Sequence, residues 1–164
     1  MSDEESFGRY VVEAYPALLR RARLLVGDYG LAEDLVQVSL VSAHTHWRRV
    51  GQPDAYLRTV MARKVIGWRA RRWHGEVPTD PLPDVADGSD RAVDCDLGGT
   101  VRQALMTLPP EQRAVVVLRY FDDCSEADIA AALKCSTGTV KSRASRALAA
   151  LRASGLLAEE GQMR

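Results

Sequence analysis

Apolar residues recur at helical spacing through most of the chain, in two blocks separated by a stretch with no sustained period. From Phe7 to Val26 they follow the three- and four-residue rhythm of a helix and stop at Gly27, a residue suited to the position just past a helix end. Asp28 has the side chain of an N-cap. Behind it Leu31, Leu35, Val38 and Val41 form one stripe, which predicts a second helix with that stripe turned to the core. Gly51-Gln52-Pro53 interrupts the pattern, and Pro53 suits the first turn of a third helix reaching about Arg72. These three helices predict a small bundle.

The second block is helical again. A helix starts at Thr100, and Pro109-Pro110 opens another that runs through Tyr120 and ends at Asp122-Asp123. Ser125-Glu-Ala-Asp128 is a capping-box pattern with Asp in place of Glu or Gln, so a short helix should run to Leu133. Lys134-Cys135 forms the turn, and Ser136 with Thr139 caps a last helix to about Arg152. A short capped helix, a tight turn and a longer helix from Ser125 to Leu151 make a helix-turn-helix pattern. No segment alternates as a strand should. The predicted fold is all-α: two small helical domains, over 1–73 and 100–164, joined by a flexible acidic linker over 74–99.

The last helix has two chemically different faces. Val140, Ala144, Ala147, Leu148 and Leu151 make one buried stripe. Thr139, Ser142, Arg143 and Arg146 lie on another, with Lys141 beyond the stripe on the far side and Ser136 and Thr137 at the helix start. Short hydroxyls and arginines at a helix N-terminus suit a major groove: Arg donates two bonds to guanine, and the helix dipole favours nearby phosphate. The plainer alternative is a solvated basic face on an ordinary bundle helix.

Charge adds a second feature. The net charge of zero conceals +4 over residues 1–73, −6 over 74–99 and +2 over 100–164. Prolines 78, 81 and 83 punctuate the acidic strip, which reads as a linker. From Tyr56 to Trp73 there are six basic residues and no acidic one, interleaved with Tyr56, Trp68 and Trp73. Cations neutralise phosphates and aromatic rings stack on unpaired bases, so this mixture suits melting DNA. The alternative is that Tyr56 and Trp68 are core and the arginines face solvent.

Other chemistry is thin. The first residues are acidic where a secretory leader would be basic, and no apolar run is long enough to span a membrane. Three cysteines without CxxC spacing suit a reducing cytoplasm. His44 and His46 point apart on a helix and make a poor metal pair, while Cys124 and Cys135 bracket one helix and read as free thiols before a redox couple. No catalytic triad or phosphate loop is visible, so neither catalysis nor a cofactor is expected.

The two blocks together resemble the extracytoplasmic-function sigma factors of the sigma-70 family. The first match is Ala22-Arg-Leu-Leu-Val-Gly-Asp-Tyr-Gly-Leu-Ala-Glu-Asp-Leu-Val-Gln37, followed by Pro53-Asp-Ala-Tyr-Leu-Arg58 and Trp68-Arg-Ala-Arg-Arg72. The second is Leu108-Pro-Pro-Glu-Gln-Arg113, Val117-Leu-Arg-Tyr120, Ser125-Glu-Ala-Asp-Ile-Ala130 and Gly138-Thr-Val-Lys-Ser-Arg143. The arginine-rich style is similar to the actinobacterial SigE-like subgroup.

The resemblance implies that core RNA polymerase (its β and β′ subunits) and promoter DNA are the partners, with an anti-sigma factor as a further candidate. It places polymerase binding on Glu33, Asp34 and Gln37. It places the −10 element on Arg48, Arg49, Tyr56, Arg58, Lys64, Trp68, Arg69, Arg71 and Arg72. It places the −35 element on Ser136, Thr137, Thr139, Lys141, Ser142, Arg143 and Arg146. One departure stands out: where the family often has Asn and, four residues later, Asp in the third helix, this chain has Arg63 and Gly67. A stand-alone DNA-binding regulator and a degenerate sigma that only sequesters a partner are the competing readings. The first of these leaves residues 7–73 unexplained.

Overall fold

Ser2 starts the first helix. Its hydroxyl accepts from the backbone N–H of Glu5 while the Glu5 carboxylate accepts from the N–H of Ser2, a reciprocal cap that begins α1 (Asp3–Val26) four residues ahead of Phe7. The computed structural model describes residues 1–73 and 96–155, except the side chains of 69–73 and 96–98. Pro16 lies inside α1 without ending it. The carbonyl it deprives of a partner belongs to Val12, which is exposed, so water can replace the missing donor.

Gly27 ends α1 at φ +79°, ψ −52°, its N–H bonded to the Arg23 carbonyl. A Cβ built there would lie 2.6 Å from Met106 Sδ. Gly27→Ala therefore meets both a forbidden backbone region and a neighbouring side chain, and should cost about 1–3 kcal/mol. Thermal unfolding followed by circular dichroism should show Tm falling by several degrees; an unchanged Tm would refute this account of the turn.

Asp28 caps α2 (Tyr29–Thr45) by accepting from the Leu31 N–H. The buried stripe of α2 is not the expected one. Ala32, Leu35, Val36, Ser39, Leu40 and Ala43 face the core, whereas Val38 is 40% and Val41 65% exposed. The helix is apolar nearly all round, so periodicity alone misplaced its inner face by part of a turn. A 3₁₀ turn, Trp47–Arg49, leads to α3 (Pro53–Trp73), whose Leu57, Met61, Ala62 and Val65 complete the bundle core.

Most of the expected linker lies outside the described residues. Its last four residues do not: α4 spans Asp96–Met106, so Gly98 and Gly99 belong to its first turn. α5 (Pro110–Val116) passes into a π turn over Val117–Phe121, closed by the Asp122 N–H on the Val117 carbonyl. Ser125 caps α6 (Glu126–Leu133) through the Asp128 N–H. Lys134, at φ 55°, turns the chain into α7 (Thr137–Ser154), capped by Ser136. Val140, Ala147 and Leu151 of α7 are buried; Ala144 and Leu148, expected in the same stripe, are half-buried. Among the described residues every regular element is helical.

The two helical units touch. α1 packs on α4, and α3 packs on α5 and α6, so their buried residues form one continuous cluster.

Candidate nucleic-acid and polymerase interfaces

The helix-turn-helix presents α7 with its N-terminus open. Ser136 and Thr137 are exposed at its start, and Ser142 and Arg146 are exposed one and two turns on. Arg143 is half-buried between them. Thr139 is less available than expected: its hydroxyl bonds the Ser136 hydroxyl at 2.9 Å and is part of the cap. Lys141 is exposed and stands 3.7 Å from Glu126 of α6, so it joins the two helices of the motif on its far side. No described acidic residue lies on α7 itself, and its uncapped N–H groups carry the positive end of the helix dipole. That arrangement suits an anionic backbone with base edges behind it.

The N-terminal unit divides its predicted residues between surface and packing. Arg48 and Arg49 sit on the exposed 3₁₀ turn, where Arg48 Nε donates to the Asp3 carboxylate, which raises its pKa further. Trp47, which sequence reasoning passed over, anchors that turn. Its ring stands edge-on to Phe7 at 5.2 Å, tilted to Tyr10 at 5.5 Å, and its Nε1–H donates to the Ser6 hydroxyl. The only cue for it in the sequence was an aromatic residue adjoining two arginines. Tyr10 in turn donates to Asp54 at 2.6 Å; burial and this carboxylate push its phenol upward in pKa.

Tyr56 and Trp68 are half-buried against the core, the packing alternative for these aromatics. The Tyr56 hydroxyl lies 2.9 Å from the Ser42 hydroxyl, joining α3 to α2. Arg58 and Lys64 are half-buried on α3. The side chains of Arg69, Arg71 and Arg72 lie outside the described ones. His44 stands edge-on to Phe7 at 4.9 Å, and His46 Nδ1 is 3.0 Å from the Ser42 carbonyl. Cys124 and Cys135 are free and half-buried, and burial pushes the Cys124 thiol up. Among the described residues no cluster of His, Cys, Asp or Glu could hold a metal, and no helix is long and apolar enough to cross a membrane.

A third surface lies on α2. Asp34 and Gln37 are exposed, Glu33 is half-buried, and the exposed Val38 and Val41 continue the same face one turn further on. Acid, amide and two valines side by side make a surface of the mixed kind seen at protein contacts.

Comparison with known proteins bears on both units. Residues 11–75 match the family described as sigma-70 region 2, and residues 99–151 match sigma-70, region 4. The RNA polymerase sigma-E factor of Streptomyces avermitilis is 45% identical over 152 residues, covering 89% of this chain and 83% of its own length. The ECF RNA polymerase sigma factor SigM of Mycobacterium tuberculosis is 35% identical over 152 residues, covering 91% and 76%. The chain belongs to the extracytoplasmic-function sigma factors of the sigma-70 family.

Solved structures agree with this sigma factor's fold. The sigma factor RpoE of Bartonella quintana, in complex with the anti-sigma factor NepR, matches with a TM-score of 0.70 at 29% identity over 93% of this chain and 97% of that one. CnrH in complex with the cytosolic domain of CnrY matches with a TM-score of 0.60 at 25% identity over 92% and 87%.

Proposed function

We propose that this sigma factor is a dissociable promoter-specificity subunit that binds core RNA polymerase and directs initiation by holding two DNA elements. The observation that carries the reading is the order of its two units. A region 2 unit with a basic third helix precedes a region 4 unit whose α7 leaves its hydroxyl and arginine face open. Polymerase binding is assigned to the α2 face of Glu33, Asp34 and Gln37, with Val38 and Val41 supplying the apolar area that the sequence had placed in the core. The −10 element is assigned to Arg48 and Arg49 and to the basic side of α3, and the −35 element to α7. Tyr56 is assigned to packing, because its hydroxyl is engaged with Ser42. The domain boundaries proposed are 1–73 and 96–164, the start of the second moved upstream from 100 by α4.

The chain itself performs no chemistry in this reading; nucleotide addition belongs to the polymerase. It acts in the cytoplasm, and an anti-sigma factor is a proposed partner, since RpoE is seen with the anti-sigma factor NepR. Transcription in vitro with purified actinobacterial core polymerase and a library of genomic fragments tests the whole proposal. Promoter-directed transcripts that require the added chain are expected. If a folded preparation yields none from any fragment, the reading fails.

A further inference from the structure

The first two turns of α1 hold the loop that carries Arg48 and Arg49. Asp3, Ser6, Phe7 and Tyr10 stand at i, i+3, i+4 and i+7, which is one face of the helix. The Trp47 ring is edge-on to Phe7 at 5.2 Å and tilted to Tyr10 at 5.5 Å, and its Nε1–H donates to the Ser6 hydroxyl at 3.3 Å. Phe7 packs on the other side against His44 of α2, 4.9 Å away. Asp3 accepts from Arg48 Nε, and the Tyr10 hydroxyl donates to Asp54 in the first turn of α3. This one face therefore grips the loop at its entrance, at Trp47 and Arg48, and at its exit, at Asp54. The Ser2–Glu5 cap makes the arrangement possible, because a helix begun at Phe7 would leave Asp3 and Ser6 outside it.

A loop of this kind has little order of its own. Its 3₁₀ turn is three residues long, closed by the Arg49 N–H on the His46 carbonyl and the Val50 N–H on the Trp47 carbonyl, and Gly51 follows. Arg48 and Arg49 are exposed, and the Asp3 contact leaves the Arg48 side chain 87% exposed. A guanidinium engaged through Nε can still present its terminal donors to a phosphate. The residues that hold the loop lie ahead of the stretch matching sigma-70 region 2, which begins at residue 11.

We propose that Asp3, Ser6, Phe7 and Tyr10 are positioning residues for promoter DNA: they form a strut that presets Arg48 and Arg49 for phosphates of the −10 element. The inference rests on the assignment of that element to this turn. Its physical basis is preorganisation. Two long basic side chains on an unanchored loop lose backbone and side-chain freedom when DNA orders them, and that loss is subtracted from the affinity. A loop already pinned to α1 has met the backbone part of the loss during folding. None of the four residues needs to touch DNA.

The test is binding of a fork DNA, duplex upstream and single-stranded through the −10 element, to the full chain assembled with core polymerase. Phe7→Ala/Tyr10→Ala should weaken it about tenfold, whereas Phe7→Leu/Tyr10→Phe, which keeps the packing, should stay within about threefold of wild type. In the free chain, trypsin should cut after Arg48 and Arg49 at least about fivefold faster in the alanine pair. Retained co-elution with core polymerase shows that the variant is folded. Trp47→Ala breaks the same contacts from the loop side and leaves α1 whole; it should reproduce the loss of fork affinity, and it carries the test should the alanine pair lose co-elution. The decisive reading is non-additivity. Added to Arg48→Ala/Arg49→Ala, the alanine pair should cost no more than about a further twofold, since no basic side chain is left to position. Losses that multiply overturn the proposal, as does an alanine pair that leaves fork affinity or the tryptic rate unchanged; both outcomes leave the −10 assignment standing. Unchanged fork affinity in Arg48→Ala/Arg49→Ala would reject that assignment and the strut with it.

Discussion

Replacing Arg143 and Arg146 together by alanine is expected to reduce −35-dependent transcription by about 100-fold or more while core polymerase binding stays intact. Each arginine that donates two bonds to a guanine contributes about 1–3 kcal/mol of discrimination. Both lie to one side of the buried stripe of Val140, Ala147 and Leu151, Arg146 exposed and Arg143 half-buried, and neither is paired with a described carboxylate. Removing the pair therefore leaves no unpaired acid behind and opens no core cavity. The stability change should stay within the range of ordinary surface substitutions, about half a kcal/mol.

Three measurements separate this outcome from its rivals. Transcription from a promoter carrying both elements should collapse. Transcription from a template whose −10 region is pre-melted should fall far less, because the region 2 unit still operates there. Co-elution with core polymerase should be unchanged. If Arg143→Ala/Arg146→Ala abolishes co-elution, the division of labour between the units is wrong. If transcription survives with the −35 preference intact, α7 is not the reading helix. Lys141 is the internal control: it stands against Glu126, so Lys141→Ala should act mainly through phosphate contact, weakening all promoters alike and reducing the salt slope by about one.

Local chemistry made much of this fold legible before any coordinates. Gly27, Asp28, Ser125 and Ser136 mark helix ends because caps are made within three or four residues, and all four occupy the expected positions. The helix-turn-helix was readable for the same reason. Ser2 was the same kind of signal and was missed, since the apolar period starts only at Phe7.

What escaped the sequence had two causes. In α2 the apolar residues lie nearly all round the helix, so local pattern could not tell whether Leu31–Val41 or Ala32–Ala43 faced inward; packing of α1 and α3 decided it. The contacts between units escaped for a different reason. Arg63 and Arg113 bond carbonyls 69 and 88 positions away, and a backbone acceptor has no signature in a sequence. An arginine bound to such a group looks the same as one bound to DNA. The basic content of α3 was read as a DNA face, and Arg63 shows that one of its cations serves the fold instead.

The displaced α2 stripe leads to the second large effect. Val38→Asp/Val41→Asp should weaken binding of core polymerase by about 100-fold with little loss of stability. Neither valine belongs to the buried core, Val41 being 65% and Val38 40% exposed, so the substitution perturbs the bundle far less than a core change; a valine buried at an interface is worth about 1.5 kcal/mol or more. Placing a carboxylate in each position adds the cost of burying an unpaired charge at a contact, so the pair exceeds the loss of apolar area alone. Asp34→Ala/Gln37→Ala should weaken binding less, by about tenfold, because rim hydrogen bonds exchange with water. Co-elution and competition against a labelled sigma factor measure both. Were Val38 and Val41 the core stripe that the sequence suggested, the double aspartate variant would unfold instead, and thermal melting would reveal it at once. A variant that melts like wild type and still binds polymerase fully would remove α2 from the interface. A variant that melts like wild type and loses polymerase would place the contact on this face.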